Sequence, residues 1–361
     1  MKQHLHLLIL LLFALPVEAQ PTLESLLRAV DAAIEDSEQY EKDKMQRITL
    51  IKDGLKVSGL SLEEEYRINL RLYTEYEAYI CDSARHYINR NIELAVRLNN
   101  REWLNESKLK KVHILATSGL YAEGLRLLET INKQHLSDRL LVDYYMAFEN
   151  IYLYYAEYAQ DDEYMPGYLD KMNSYRDSVL MIVPEGSYQY VIVQGPMLIY
   201  HQQPKEAENL LKTYISGVSS DTREYAILTS ILAFTYQNDS QLELQKMCLA
   251  ESAIADIKAV VKENNSLRAL AELLYEEGAI ERANKYMKKS MADASFYNAR
   301  LRNVQASKML PVIDSSYQLE KEMQRRKLQV FLGVISILSL FLILTIGYVI
   351  RQLKKLAKTR R

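Results

Sequence analysis

The sequence predicts an all-α protein: a curved array of paired helices followed by one membrane-crossing helix. Three observations lead there. Eleven Gly and seven Pro in 361 residues are too few for the frequent turns of a sandwich or barrel. One helix–turn–helix spacing recurs in a common frame along most of the chain. Leu328 to Ile350 contains no charged residue and, at about 1.5 Å per residue, is long enough to cross a hydrocarbon core of about 30 Å.

In chain order, residues 1–19 read as a secretory signal peptide. Lys2 precedes an apolar run from Leu5 to Leu15, Pro16 follows, and Val17 and Ala19 supply the small residues of a cleavage site. The expected mature chain begins at Gln20, and no Cys lies near it to carry a lipid. Residues 20–64 read as an N-terminal helical cap. Leu23, Leu26, Leu27, Val30 and Ile34 recur at helical spacing, and Thr22 and Ser61 are helix-capping residues, Ser61 with Glu64 in capping-box spacing. This segment is expected to cover the open end of the array.

Residues 65–300 carry the repeats. Leu267, Leu270, Ala271, Leu274, Gly278, Ala283, Met287 and Ser290 fall at positions 4, 7, 8, 11, 15, 20, 24 and 27 of one unit. Small residues at 8 and 20 let two antiparallel helices approach to about 8–10 Å, and larger apolar residues fill the sides. Gly278 at position 15 suits a left-handed helix cap. This pattern resembles the tetratricopeptide repeat, and the resemblance implies a helical-hairpin solenoid. The frame recurs with Gly195, Leu198, Ala207 and Leu211; with Val112, Leu115, Gly119 and Gly124; with Leu232, Ala233 and Tyr236; and weakly with Leu72, Ala84 and Ile88. Unit starts near 65, 105, 188, 226 and 264 leave an interval in which a degenerate unit is expected over about 146–187. Gly195, Ala207, Ala233, Ala271, Gly278 and Ala283 are therefore the expected repeat-packing residues.

Residues 301–327 read as a juxtamembrane helical segment, interrupted near Pro311. Residues 328–350 are the transmembrane helix and 351–361 a basic tail. Signal-peptide logic and the positive-inside rule put that tail in the cytoplasm, leaving the body in the periplasm of a single-pass inner-membrane protein. The formal charge is −2 overall, but the exterior part between the signal peptide and Arg325 carries −11. An acidic body lacks the electrostatic footprint of a nucleic-acid binder, and the basic tail suits anionic head groups.

No metalloprotease, nucleophile-elbow, phosphate-loop or dinucleotide motif occurs, and the two cysteines, Cys81 and Cys248, are read as buried and unbridged. No catalytic residue, metal site or cofactor is expected, and the protein is read as a non-enzyme. Tyrosine is abundant, 27 against six Phe, with its densest run at Tyr144, Tyr145, Tyr152, Tyr154, Tyr155 and Tyr158. Each Tyr serves either a repeat core or a concave surface for peptide or glycan. Beside the Gly195-Pro196 pair, where Pro196 is expected to bend or break its helix, Tyr152, Tyr155, Tyr188 and Tyr190 are the candidate partner-contacting residues. Gly333, Ser336 and Ser339 recur in the span at the spacing of a close helix contact, making a homodimer a candidate.

The stretch from Ala250 to Lys327, sharpest at Ala292 to Ile313, resembles Bacteroidetes-type membrane-anchored tetratricopeptide regulators that carry a domain of unknown function. The resemblance implies a sensor or adaptor for a protein or peptide partner, within a signalling or transcription-regulatory system. Relatives continue into a cytoplasmic coiled coil and output region. Here eleven residues follow Ile350, so the expectation is a truncated portion or a short form. A passive envelope scaffold and a nutrient-binding module are the alternatives.

Overall fold

The computed structural model describes residues 21–237 and 241–359. The expected signal peptide lies outside the described residues. Among those described there are fifteen α-helices and no strand: α1 (Leu23–Glu35), α2 (Ser37–Asp53), α3 (Leu62–Tyr76), α4 (Cys81–Arg97), α5 (Arg101–Thr117), α6 (Tyr121–Glu129), α7 (Asp138–Ala159), α8 (Met165–Leu180), α9 (Tyr188–Tyr200), α10 (Pro204–Ile215), α11 (Arg223–Thr235), α12 (Leu242–Lys258), α13 (Ser266–Glu276), α14 (Ile280–Tyr297) and α15 (Arg300–Thr359).

From α3 onward the helices pack as successive antiparallel hairpins, α3–α4 to α13–α14. The local chemistry explains the boundaries. Ser61 and Glu64 close a reciprocal capping box at the start of α3, satisfying two otherwise orphaned donors. Asn100, Ser187 and Thr222 accept from backbone N–H groups at the starts of α5, α9 and α11. Within hairpins, small residues set the approach. A Cβ on Gly195 would stand 3.3 Å from the Leu211 side chain. Ala207, Ala271 and Ala283 are fully buried, and Ala233 is buried beside them in the main core. Gly278 sits at φ +84 between α13 and α14. The interval that the repeat frame skips is filled by α7, the longest helix before the span at 22 residues, and α8.

Two prolines behave differently from expectation. Pro196 lies inside α9, which continues through it to Tyr200. Pro311 lies inside α15, which runs unbroken for 60 residues. Each proline removes only one intrahelical donor. At Pro311 that gap faces solvent, while Ala306 and Ile313 on either side are fully buried and pin the helix to the body.

The N-terminal helices do more than cover one end. α1 packs on α12, burying Leu27, Val30 and Ala33 in the same core as Leu267, Ala283 and Tyr286. Arg282 on α14 clamps Glu24 with two bonds of 2.7 and 2.8 Å and reaches Asp31 at 3.2 Å. The Tyr286 hydroxyl donates to the Leu27 carbonyl at 3.0 Å. α2 follows: Ile48 is buried among Leu72, Tyr73 and Tyr76, and the Lys44 ammonium donates to the Ala259 carbonyl. Burial lowers the Lys44 pKa to about 8, with Glu75 working the other way. The array thus curls until its early and late parts meet. The Lys262 amide donates to the Ala78 carbonyl at 2.7 Å, and the Tyr297 hydroxyl donates to that of Glu77 at 2.6 Å.

α15 begins as one more array member, with Leu301, Ala306 and Ile313 buried. It then leaves the body and carries an apolar stretch long enough to cross a membrane, wholly unburied. Cys81 and Cys248 are both buried and free.

Candidate functional site

Five helices that open their hairpins, α3, α5, α7, α9 and α11, wall a lumen of about 570 Å3. In a helical-hairpin solenoid the small rotation from one unit to the next gathers the first helices on one concave face. Leu109, Met146, Ala147, Ile192 and Ile227 give apolar patches, and Tyr188 presents an aromatic ring, while Tyr73 is buried in the wall behind Lys110. The polar lining is Glu77, Glu106, Asp143, Lys110, His113, Asn150 and Arg223.

Arg223 closes the lumen where α11 meets the end of α3. Its guanidinium bonds Glu263 at 2.7 Å and lies 3.5 Å from Glu77. Burial works against its charge, but Glu263, Glu77 and Asp256 outweigh burial and raise its pKa. Asp256, buried behind it, is pushed up to about 7 by burial despite Arg223. The Tyr73 hydroxyl donates to the Lys110 carbonyl at 3.1 Å, and the Lys110 ammonium lies 5.3 Å from the centre of the Tyr73 ring. Among the described residues Lys110 has no ion-pair partner within 4.0 Å. Burial raises the Asp143 pKa, with Lys110 and then Arg139 offsetting part of it. Burial also lifts Tyr188 to about 12. The lumen therefore offers an available cation, an amide, carboxylates and the Tyr188 ring around one concave space open to solvent. It suits an elongated polar ligand with some apolar surface.

The four candidate tyrosines do not form one surface. Tyr188 lines the lumen. Tyr190 is half-buried against the main core, its amide capped by Ser187. Tyr152 and Tyr155 belong to a ring stack between α7 and α8: Tyr152 lies 5.9 Å from Tyr175, and Tyr155 lies 5.1 Å from Tyr168. Tyr155 also borders a second cavity of about 520 Å3 with Tyr121, Tyr158 and Arg300, at the root of α15. α7 spans both places. It lends Asp143, Met146, Ala147 and Asn150 to the lumen, and near its C-terminal end Glu157 grips Arg302 of α15 at 2.6 Å. Just beyond that end, Gln160 accepts from Lys308.

Sequence reasoning missed Glu106, Leu109 and His113, although a signal was available. They occupy positions 2, 5 and 9 of the unit starting near 105, the positions that turn inward when 4, 7, 8 and 11 pack sideways. Arg223 and Glu77 had no such signal, because their pairing depends on ring closure.

Among the described residues no group of three or more His, Cys, Asp or Glu side chains is arranged to hold a metal. Residues 34–308 match the family model described as the SusR N-terminal TPR domain. No curated protein matches the chain.

Proposed function

From the premise that this chain belongs to the SusR N-terminal TPR domain family, a repeat module of the protein-interaction kind, we propose that it is a membrane-anchored sensor or adaptor. The body faces the periplasm, the basic tail faces the cytoplasm, and the lumen takes a segment of a protein or peptide partner within a signalling or transcription-regulatory system. The observation that carries this reading is the lumen of about 570 Å3 walled by five inward helices. That volume lies in the range of sites that enclose a ligand of a few residues. α7 supplies the route outward, since it touches the lumen and holds the root of the membrane-crossing helix through Glu157 and Arg302. Occupancy that moves α7 shifts α15 with it. The family description and the long apolar helix α15 support this reading.

A second reading has its own observation. The Tyr188 ring beside Glu77, Glu106, Asp143 and Asn150 also suits one face and the hydroxyls of a short glycan. The deciding experiment uses the full chain in membranes with a photo-crosslinking side chain at Ala147, in the lumen, or at Lys205 on exposed α10. The proposal expects peptide or protein adducts at Ala147 alone, abolished by Ile227→Trp, which fills the lumen. Equal labelling at both positions refutes it. Adducts displaced by short glycans favour the second reading. Topology is tested separately: a reporter active only in the periplasm should work after Lys321 and stay silent after Arg361.

A further inference from the structure

Where α15 leaves the body its sides become unequal. Up to Tyr317 one face is tied down: Asp314 accepts from Asn284 at 3.0 Å, and Ser316 bonds the Tyr275 hydroxyl at 3.0 Å. About a quarter-turn from buried Ile313, Val312, Leu319 and Met323 stand 45%, 62% and 56% exposed in a segment otherwise dominated by charge. With Arg326 they follow alternating steps of four and three residues, the intervening position, Ser316, being held against the body by Tyr275. The alternation continues without a break into the span through Val330, Gly333, Ile337 and Leu340. A period of 3.5 against the helix's own 3.6 is the signature of a left-handed two-helix seam.

Charge selects what covers this stripe. With Leu319 and Met323 in the seam, Glu322 and Lys327 fall on its two flanks, five residues apart. In a parallel pair those flanks bring Glu322 of each helix beside Lys327 of the other. Among the described residues neither side chain has an ion-pair partner within its own chain. Two copies inserted in the same membrane orientation are necessarily parallel, and two-fold symmetry makes the same pair twice.

We propose that α15 pairs in parallel with α15 of a second copy along the Val312–Leu319–Met323–Val330–Ile337 seam. Arg326 is the one charge within it, meeting itself across the axis. It weakens the pair while fixing its register, as single polar seam residues do. The seam shares Gly333 with the small-residue face but excludes Ser339, so Leu340 and not Ser339 meets its counterpart. The inference rests on the proposed membrane insertion. It deepens the sensor reading by naming the geometry that lumen occupancy would alter.

The test is disulfide crosslinking of the full chain in membranes. Both native cysteines are buried, so the unaltered chain serves as the blank. Single substitutions Leu319→Cys, Met323→Cys and Leu340→Cys should yield several-fold more crosslinked dimer than Gln318→Cys, Lys321→Cys and Ser339→Cys. On the Leu319→Cys background, Glu322→Lys or Lys327→Glu alone should lower the yield a few-fold, and the two together should restore it. Arg326→Leu should raise it. Uniform crosslinking, a maximum in the second set, or no dimer at any position overturns the seam. A double charge reversal no better than either single one overturns the register. Retention in the membrane pellet after alkaline washing is scored in parallel, so that failure of insertion is told apart from failure of pairing.

Discussion

Beneath the lumen wall, Glu149 on α7 and Arg176 on α8 form an ion pair whose side chains are only 11% and 8% exposed. The guanidinium Nε donates to Glu149 Oε1 at 2.9 Å, and Nη2 lies 2.8 Å from the same oxygen. Burial raises the Glu149 pKa, and Arg176 pulls part of that back. Replacing Arg176 by Met leaves a buried carboxylate without its counter-charge, which costs about 3–5 kcal/mol. At a few degrees per kcal/mol this lowers the melting temperature of the full chain in detergent by roughly 6–15 °C. The paired variant Glu149→Met/Arg176→Met removes both charges and leaves apolar side chains of useful volume, so it should recover most of the loss. pH gives an independent reading. A carboxyl whose folded pKa is raised binds its proton more readily in the native state, so its contribution to stability falls as pH rises through that pKa. Without Arg176 the pKa rises further, and the deficit of Arg176→Met should be smaller at pH 5 than at pH 8. The readout is helical circular dichroism against temperature at both pH values. A single variant that melts with the parent, or a double variant as unstable as the single, refutes the reasoning.

Three other outcomes are expected on the same assay. Gly119 and Gly278 both have positive φ, +74 and +84, but a Cβ on Gly119 would stand 3.2 Å from Arg300 while one on Gly278 meets nothing within 4 Å. Gly278→Ala should therefore cost about 1 kcal/mol from backbone strain alone, and Gly119→Ala more, because it displaces the root of α15. Ala283→Phe, at a fully buried position, should overpack the α13–α14 hairpin and cost about 1–3 kcal/mol; an unchanged melting temperature would refute the packing role. Asp256, raised to about 7 by burial, loses stabilising effect as pH rises from its usual value of about 4 through 7. Asp256→Asn should accordingly raise the melting temperature more at pH 8 than at pH 5.

The hairpin class was legible because it is written in short-range spacing. Leu267, Leu270, Ala271, Leu274, Ala283 and Met287 announce one another within twenty residues, and all are buried. Ser61 with Glu64 was legible for the same reason. The lumen was not, since it exists only after Arg223 has met Glu77, 146 residues away. The docking of α1 was hidden in a similar way. Its apolar stripe reveals that it is buried, but its partner is chosen by Glu24 and Asp31, which resemble any solvated acidic residues until Arg282 and Lys285 stand opposite. The tyrosine run did not reveal where its rings would go, because density along the chain is not convergence in space: Tyr152 and Tyr155 turn toward α8, and Tyr188 turns inward.

The clasp of α1 by α14 has a consequence for how the chain reaches its folded state. In an open solenoid each unit rests only on its neighbours, and folding can spread from any point. Here Glu24 waits for Arg282, 258 residues later. α1, the first of the described helices to be synthesised, is therefore the last to find its place, and closing so long a loop carries an entropic cost that local hairpins avoid. Until α12 has been made, the apolar face of Leu27 and Val30 has no home. A nascent chain stalled before Leu242 would present that face to chaperones and proteases, and one stalled before Arg282 would hold α1 without its ionic clasp, so completeness of the body is checked by its own beginning.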